Sequence, residues 1–163
     1  MNRRAYANMY EAALEGTWEL FSAYLDGART APLLAVSASA LGGPARAALT
    51  STAASLGYGD DACAFATLAC ADATGGPALD RQALFTLVEG LDPLGLIVTD
   101  SAAARAVAEA YRCSLALGES QRVFGRPCVA FESFEPMLAT SQDKQKAWAL
   151  LKRLPKYPPE VVP

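Results

Sequence analysis

Four short apolar runs, each followed by a segment with helical periodicity, constrain the fold of this chain more than any other feature. The runs cover residues 32–37, 62–68, 94–99 and 128–131, and their continuous apolar character is typical of strands buried on both faces. Strands that alternate with helices of about 10–15 residues require crossover connections, which produce parallel pairing. The sequence therefore predicts an α/β fold: a three-layer α/β/α arrangement with a central, mainly parallel sheet of about four strands.

Five helices are predicted around these strands, from apolar residues spaced by three and four positions. The first extends from Tyr10 through Leu25 and ends near Gly27. The other four begin at capping residues or at a proline, namely at Pro44, Asp80, Asp100 and Thr140-Ser141. Three of them end at residues that break a helix, namely Gly57, Asp92-Pro93 and Pro155.

The length of 163 residues is that of one domain. We expect residues 1–163 to form it, with the core at 6–154 and a loose tail at 155–163. The chain contains no histidine, which excludes Ser-His-Asp and Cys-His mechanisms and histidine-ligated zinc. The four cysteines never form a C-x-x-C pair, and Cys63 and Cys128 fall in apolar runs, so we expect these two to be buried thiols, and no metal site and no cofactor.

The charge of the chain argues against general nucleic-acid binding, because 14 basic residues are outnumbered by 17 acidic ones. We expect a cytoplasmic protein without a membrane partner, since there is no leader-like N-terminus and no apolar run of roughly 20 residues. Basic residues do concentrate in the last predicted helix, at Lys144, Lys146, Lys152 and Arg153. This helix is a candidate for contact with nucleic acid, although a solvated helix face is the favoured interpretation.

Parallel α/β sheets bind ligands beyond the carboxyl ends of their strands, where the winding direction reverses. The loops at these ends span residues 37–43, 67–72, 99–100 and 131–135. The candidate ligand-binding residues in the loops are Ser37, Ser39, Gly42, Gly43, Thr67, Ser133 and Phe134. The candidate general bases are Asp72, Asp100 and Glu132.

Each of these loops also has a purely structural interpretation. The turn at residues 37–44 leaves free backbone N–H groups at a helix start, which either hold an anion or simply form the turn. Asp100 is a candidate base or ribose ligand, but a carboxylate N-cap accounts for it fully. In residues 131–135, either an aromatic ring stacks on a planar ligand beside a carboxylate, or Phe131 belongs to the core and Phe134 anchors the next helix. We favour the second interpretation.

Two motifs near the C-terminus carry a family resemblance. Residues 125–127 read Gly-Arg-Pro before an apolar strand, and the lysine-rich segment 144–154 contains Trp148. With the order of strands and helices from Tyr6 to Leu154, these motifs resemble the uracil-DNA glycosylase superfamily, particularly its bacterial iron–sulfur branches. The resemblance implies an α/β/α fold and a site at the strand ends that excises a base flipped out of DNA.

The residues that carry the chemistry of that family are replaced here. Its G-E-x-P-G loop corresponds to residues 37–42, which contain no acid, and its uracil-reading Asn corresponds to Ala66-Thr67. Its His-Pro motif corresponds to Glu132-Ser133, where a carboxylate repels the negative charge that develops on the base. Cys70 lies near a cluster cysteine of the family, but the N-terminal C-x-x-C counterpart is missing. The resemblance therefore implies the family scaffold without its excision chemistry.

Three functions are compatible with the sequence. We favour a uracil-DNA glycosylase-like domain without glycosylase activity that serves as a binding or interaction module. One alternative is an enzyme with repurposed carboxylate chemistry, in which Asp72, Asp100 or Glu132 is the general base. The other is a DNA-binding or base-excision protein that uses the basic helix. Among partners, we expect a small molecule or a protein rather than nucleic acid.

Overall fold

The computed structural model describes residues 13–70 and 76–157 of the chain. Its helices are α1 (described over 13–20), α2 (Gly43–Ser55), α3 (Arg81–Leu91), α4 (Ser101–Tyr111), α5 (Ser141–Leu151) and a 3₁₀ helix (Glu135–Ala139). Its strands are β1 (Leu25–Gly27), β2 (Leu33–Ser37), β3 (Cys63–Thr67), β4 (Gly95–Val98), β5 (Glu119–Val123) and β6 (Arg126–Ala130). The α/β class predicted from the alternating pattern is confirmed.

The six strands form one mixed sheet in the order β1-β3-β2-β4-β6-β5. β3, β2, β4 and β6 run parallel to one another, and they are the four strands that the apolar runs predicted. β1 and β5 are added antiparallel, one at each edge. The expectation of about four strands in a mainly parallel sheet is therefore wrong. Edge strands are partly solvated and need no continuous apolar run, so that pattern does not reveal them.

The edge strand β1 lies where the periodicity predicted the end of the first helix. Leu25 continues the spacing of the helical apolar positions, but it pairs with β3 instead. Gly27 adopts φ +98°, and a Cβ there would lie 2.7 Å from the carbonyl oxygen of Cys63, so glycine is required at this strand end. The predicted helix end near Gly27 is thus wrong, and Tyr10 lies outside the described residues.

β5 and β6 form a hairpin whose turn consists of Phe124 and Gly125. Both residues have positive φ, +53° and +82°, as a two-residue type I′ turn requires. The sequence predicted only an extended piece at 122–124 before the last strand. It missed most of β5 because this strand buries one residue, Val123, and otherwise presents polar side chains.

Apolar side chains pack on both faces of the sheet, because successive residues of a buried strand point in opposite directions. Leu34 and Val36 of β2 join a cluster with residues of α1, α3 and α4. Leu33 and Ala35 of the same strand join a second cluster with residues of α2 and α5. The continuous apolar runs are therefore explained by burial on two faces.

Residues 155–157 lie against the C-terminal end of α2. The Tyr157 N–H donates to the carbonyl of Leu56 at 2.9 Å, and the Tyr58 hydroxyl donates to the carbonyl of Pro155. The rings of Tyr58 and Tyr157 stack with their centroids 5.6 Å apart. The remainder of the tail that the sequence predicted to be loose, 158–163, lies outside the described residues.

Arg126 ties the hairpin to the connection between α3 and β4. Its guanidinium contacts Glu89 Oε1 at 3.1 Å, Asp92 Oδ1 at 2.9 Å and the carbonyl oxygen of Pro93 at 2.6 Å, and only 10% of its side chain is exposed. The Tyr111 hydroxyl donates to the same Glu89 oxygen at 2.7 Å. Burial raises the pKa of Glu89, but hydrogen bonds from Tyr111 and Arg126 outweigh burial and hold this pKa below its usual value.

We predict that Arg126→Ala lowers the free energy of unfolding by about 2 kcal/mol at neutral pH, because it leaves two carboxylates without their partner. Arg105→Ala is the control: Arg105 is exposed on α4 and makes no ion pair within residues 13–70 and 76–157. Urea unfolding measures both changes. Since the pKa of Glu89 is lowered in the folded state, the difference between wild type and Arg126→Ala shrinks as pH falls below roughly 4.3. Equal losses in the two variants would contradict this account of Arg126.

Candidate functional site

The sheet order places its topological switch point between β2 and β4. The chain moves from β2 outward to β3, crosses back to β4 and then continues to β6 on the other side. In sheets wound this way, ligands bind in the crevice outside the carboxyl ends of the two central strands. Ser37 ends β2, and Thr99 and Asp100 follow β4, so these residues border the crevice.

Hydrogen bonds join the two sides of this crevice. The Thr99 hydroxyl donates to Ser37 Oγ at 2.7 Å, and both residues are buried. Asp100 Oδ2 accepts the N–H of Ala38 at 2.9 Å, while its Oδ1 accepts the N–H of Ala103 at 2.8 Å and thereby caps α4. The polar groups at the switch point therefore satisfy one another and are not directed at a ligand.

Asp100 thus acts as an N-cap that also reaches across to β2. Both carboxylate oxygens accept main-chain N–H groups, which fixes the side chain and stabilises its charged form, so it is held as a cap and not directed at a substrate. Of the other candidate bases, Asp72 lies outside the described residues and Glu132 is exposed at the end of β6.

The turn between β2 and α2 faces a carboxylate of its own chain. Ser39, Gly42 and Gly43 are exposed, and the N–H of Gly42 donates to Glu135 Oε2 at 3.3 Å. Glu135 belongs to the 3₁₀ helix. The position at which the sequence suggested an anion therefore already holds a negative group, as expected for a helix N-terminus.

Ser37 and Thr67 line a small cavity at the ends of β2 and β3. Its volume is about 90 Å³, and Tyr24 and Leu41 also line it. The Thr67 hydroxyl donates to the carbonyl of Ala69 at 2.8 Å, and its N–H donates to the carbonyl of Tyr24 at 2.9 Å. The cavity is therefore too small for a substrate, and the hydroxyl and N–H of Thr67 are already hydrogen-bonded within the chain.

A larger opening lies at the carboxyl end of β6, and we call it the β6-end cleft. It has a volume of about 630 Å³ and is lined by Leu117, Gly118, Phe131, Glu132, Ser133, Met137, Lys146 and Leu150. Glu132, Ser133 and Lys146 supply its polar side chains, and its other side chains are apolar. Concave sites with a mainly apolar lining and a few polar groups are typical of ligand binding.

The β6-end cleft continues into a second depression between α5 and β5, which we call the β5–α5 groove. This groove has a volume of about 470 Å³ and is lined by Gly118, Glu119, Ser120, Lys146, Ala149, Leu150 and Arg153. Lys146 and Ala149 lie three positions apart on one exposed face of α5, and Arg153 follows in the turn after the helix ends at Leu151.

The structure brings some of the predicted site residues together and separates others. Glu132 and Ser133 line the same cleft as Lys146, which the sequence assigned only to a candidate nucleic-acid surface. Phe134 is buried against Phe131 with ring centroids 5.1 Å apart, so it belongs to the core and is closed to a ligand. Lys144, on α5, and Lys152, just after its end, are exposed but line neither the cleft nor the groove.

Sequence reasoning missed the apolar side of the β6-end cleft. Leu117 and Met137 come from irregular or 3₁₀ segments, where no periodicity marks a shared surface. An apolar residue on α5 carries no sign of whether it packs in the core or borders a cleft. The sequence offered one signal for this surface: Lys146 and Arg153 are basic residues seven positions apart in the helix predicted after the last strand.

A further concavity lies away from the strand ends. It has a volume of about 840 Å³ beside β1 and α2, and Asp60, Asp61 and Thr50 are among its lining residues. Arg46 also lines it, but its guanidinium is held by Asp26 at 2.7 Å and lies 4.5 Å from the Phe65 ring centroid. None of the predicted site residues lies in this concavity.

The cysteines do not form a metal site within the part of the chain that the structure describes. All four are free, and no group of three or more metal-ligating side chains occurs among residues 13–70 and 76–157. Cys63 and Cys128 are buried in β3 and β6, as the sequence predicted. Burial raises the pKa of the Cys63 thiol to about 11, and burial with the nearby Cys113 raises that of Cys128 to about 12.

No known protein family matches this sequence, and no curated protein matches it either. None of the helices over residues 13–70 and 76–157 is long and apolar enough to span a bilayer. The resemblance to uracil-DNA glycosylases therefore stays a prediction.

Comparing Asp100→Ala with Asp80→Ala tests the double role of Asp100. Asp80 caps α3 through one N–H bond at 2.8 Å to Ala83, so its loss removes only a cap and costs about 1 kcal/mol. Asp100→Ala also leaves the N–H of Ala38 without its partner, so we predict a larger loss of about 2–3 kcal/mol. Denaturant unfolding gives both values, and a loss no larger for Asp100→Ala would contradict the bridge to β2.

Proposed function

We propose that the chain is a uracil-DNA glycosylase-like domain with a three-layer α/β/α arrangement that lacks excision chemistry and serves as a binding module. The apolar clusters on the two faces of the sheet support the layered arrangement. The single observation that carries the binding role is the β6-end cleft, in which Glu132, Ser133 and Lys146 surround an apolar depression.

The loss of excision chemistry is supported by the polar groups at the other strand ends. Excision of a base needs a group that activates water and a donor that stabilises the negative charge on the departing base. Ser37 is hydrogen-bonded to Thr99, and Asp100 is engaged by two main-chain N–H groups. Glu132, at the end of β6, is a carboxylate where that donor is required.

The β6-end cleft is suited to a ligand that is partly apolar and partly charged. Phe131 and Leu150 supply buried apolar surface, whereas Glu132 and Lys146 are exposed and of opposite charge. A small molecule or a protein segment can contact both the apolar surface and the charged groups. Duplex DNA does not, because its phosphates would meet Glu132 as well as Lys146.

An enzyme with repurposed carboxylate chemistry is a second candidate, and it depends on Glu132. This side chain borders an open cleft that also contains Lys146, so a substrate bound there lies between a carboxylate and an ammonium group. Under this alternative, Glu132→Gln abolishes turnover of the ligand but not its binding.

Two assays test the proposed function together. The purified protein should release no base from uracil- or hypoxanthine-containing DNA under conditions in which an active glycosylase does. In a thermal-shift screen of metabolites and peptides, ligands that stabilise the wild type should lose their effect with Lys146→Ala and keep it with Lys144→Ala, because only Lys146 lines the β6-end cleft. Measurable base release contradicts the loss of excision, and equal responses of the two variants contradict binding in the cleft.

A further inference from the structure

The outer edge of β5 exposes main-chain groups that have no strand partner. β5 is the last strand of the sheet, and its register pairs Arg122 with Pro127 and Ser120 with Val129. Proline has no N–H, so the pair of Arg122 with Pro127 is a non-hydrogen-bonded pair. Hydrogen-bonded and non-hydrogen-bonded pairs alternate along an antiparallel ladder, so the pair of Ser120 with Val129, two residues further on, is of the same kind. The N–H and C=O groups of Ser120 and Arg122 therefore point away from β6.

No other segment covers this edge within the described ranges. The main chain of Ser120 and Arg122 makes no further hydrogen bond among residues 13–70 and 76–157. Ser120 and Arg122 are exposed, and β5 buries Val123 alone. An edge of this kind is a template on which an additional strand can form.

The side chains along this edge face α5. Ser120 pairs with Val129, which packs with Ala147 and Leu150 of α5, so Ser120 and Arg122 lie on the α5 side of the sheet. The β5–α5 groove runs between Ser120 and the exposed face of the helix. An added strand would thus have one edge on β5 and one side-chain face on α5.

The groove carries an excess of positive charge. Lys146 and Arg153 line it and make no ion pair within the described residues, and Arg122 lies on the same face of β5. Glu119 also borders the groove, but strand alternation directs its side chain to the opposite face of the sheet. Glu132 lies at one end, in the β6-end cleft. Acidic side chains on the added strand would complement Lys146 and Arg153.

We propose that the β5–α5 groove binds an acidic segment of a partner protein in extended conformation, as an additional strand on β5. Main-chain hydrogen bonds to Ser120 and Arg122 would hold the segment, and its acidic side chains would face Lys146 and Arg153. An apolar side chain near its end fits the β6-end cleft, which adjoins the groove and is lined by Leu117 and Leu150. This inference rests on the proposed binding role and specifies the class of ligand.

A fluorescein-labelled eight-residue peptide that alternates Glu and Val, with both ends blocked, tests the inference by fluorescence anisotropy. We expect saturable binding that weakens as salt is raised and that is absent for the matched Lys-Val peptide. The double variant Lys146→Glu, Arg153→Glu should weaken binding by about tenfold or more. Lys144→Glu, the control on another face of α5, should change it by less than about twofold.

The strand edge is tested separately from the charge. Ser120→Pro removes an outward N–H that the ladder does not use, so the protein should fold, as shown by circular dichroism, and bind the peptide about tenfold more weakly. A Glu-Val peptide with N-methyl groups at alternate residues tests the same edge from the ligand side and needs no protein variant. On addition of the unmodified peptide, the amides of Ser120 and Arg122 should become protected from hydrogen exchange.

Three results would overturn the inference. The first is no saturable binding of the Glu-Val peptide. The second is binding that Ser120→Pro and N-methylation leave unchanged, since the α5 cations would then attract any polyanion. The third is competition by duplex DNA with the same dependence on Lys146 and Arg153 and none on Ser120. In each case the base-release and cleft-ligand assays still decide the proposed function, so the two failures are distinguishable.

Discussion

The hydrogen bonds between the ends of β2 and β4 are the interaction on which the account of this molecule depends. Asp100 caps α4 and accepts the N–H of Ala38, while Thr99 donates to Ser37, so the two central strands and the start of α4 are fixed at one point. In sheets of this winding, the same point is the usual ligand crevice. Because its polar groups are engaged with one another, the open cleft to which we assign the proposed binding role lies further along the sheet, at the end of β6.

The central part of the fold was predictable from sequence because it depends on burial. The apolar runs at β2, β3, β4 and β6 face helices on both sides, so their composition identifies them. The capping roles of Asp80 and Asp100 were predictable because a carboxylate before an apolar helical pattern has one common use. The two edge strands were not predictable. Leu25 of β1 happens to fit the spacing of the preceding helix, and β5 buries only one residue.

The candidate site was predictable only in its separate parts. Strand ends follow from the order of elements, so Glu132 and Ser133 were correctly assigned to a loop at the edge of the sheet. Their proximity to Lys146 depends on the angle at which α5 returns across the second face, and no local pattern records that angle. The polar strand β5 likewise reveals its free edge only through its register with Pro127. Long-range packing and register, unlike burial, leave little trace in one sequence.

Amide hydrogen exchange of the free protein, followed by NMR, tests the central claim most directly. The account predicts that the Ala38 amide, which is bonded to Asp100 across the crevice, exchanges nearly as slowly as the amides of the buried strands. It also predicts that the outward amides of Ser120 and Arg122 exchange quickly. Rapid exchange at Ala38, equal to that at Ser120, would show that the crevice between β2 and β4 opens freely and would contradict the account.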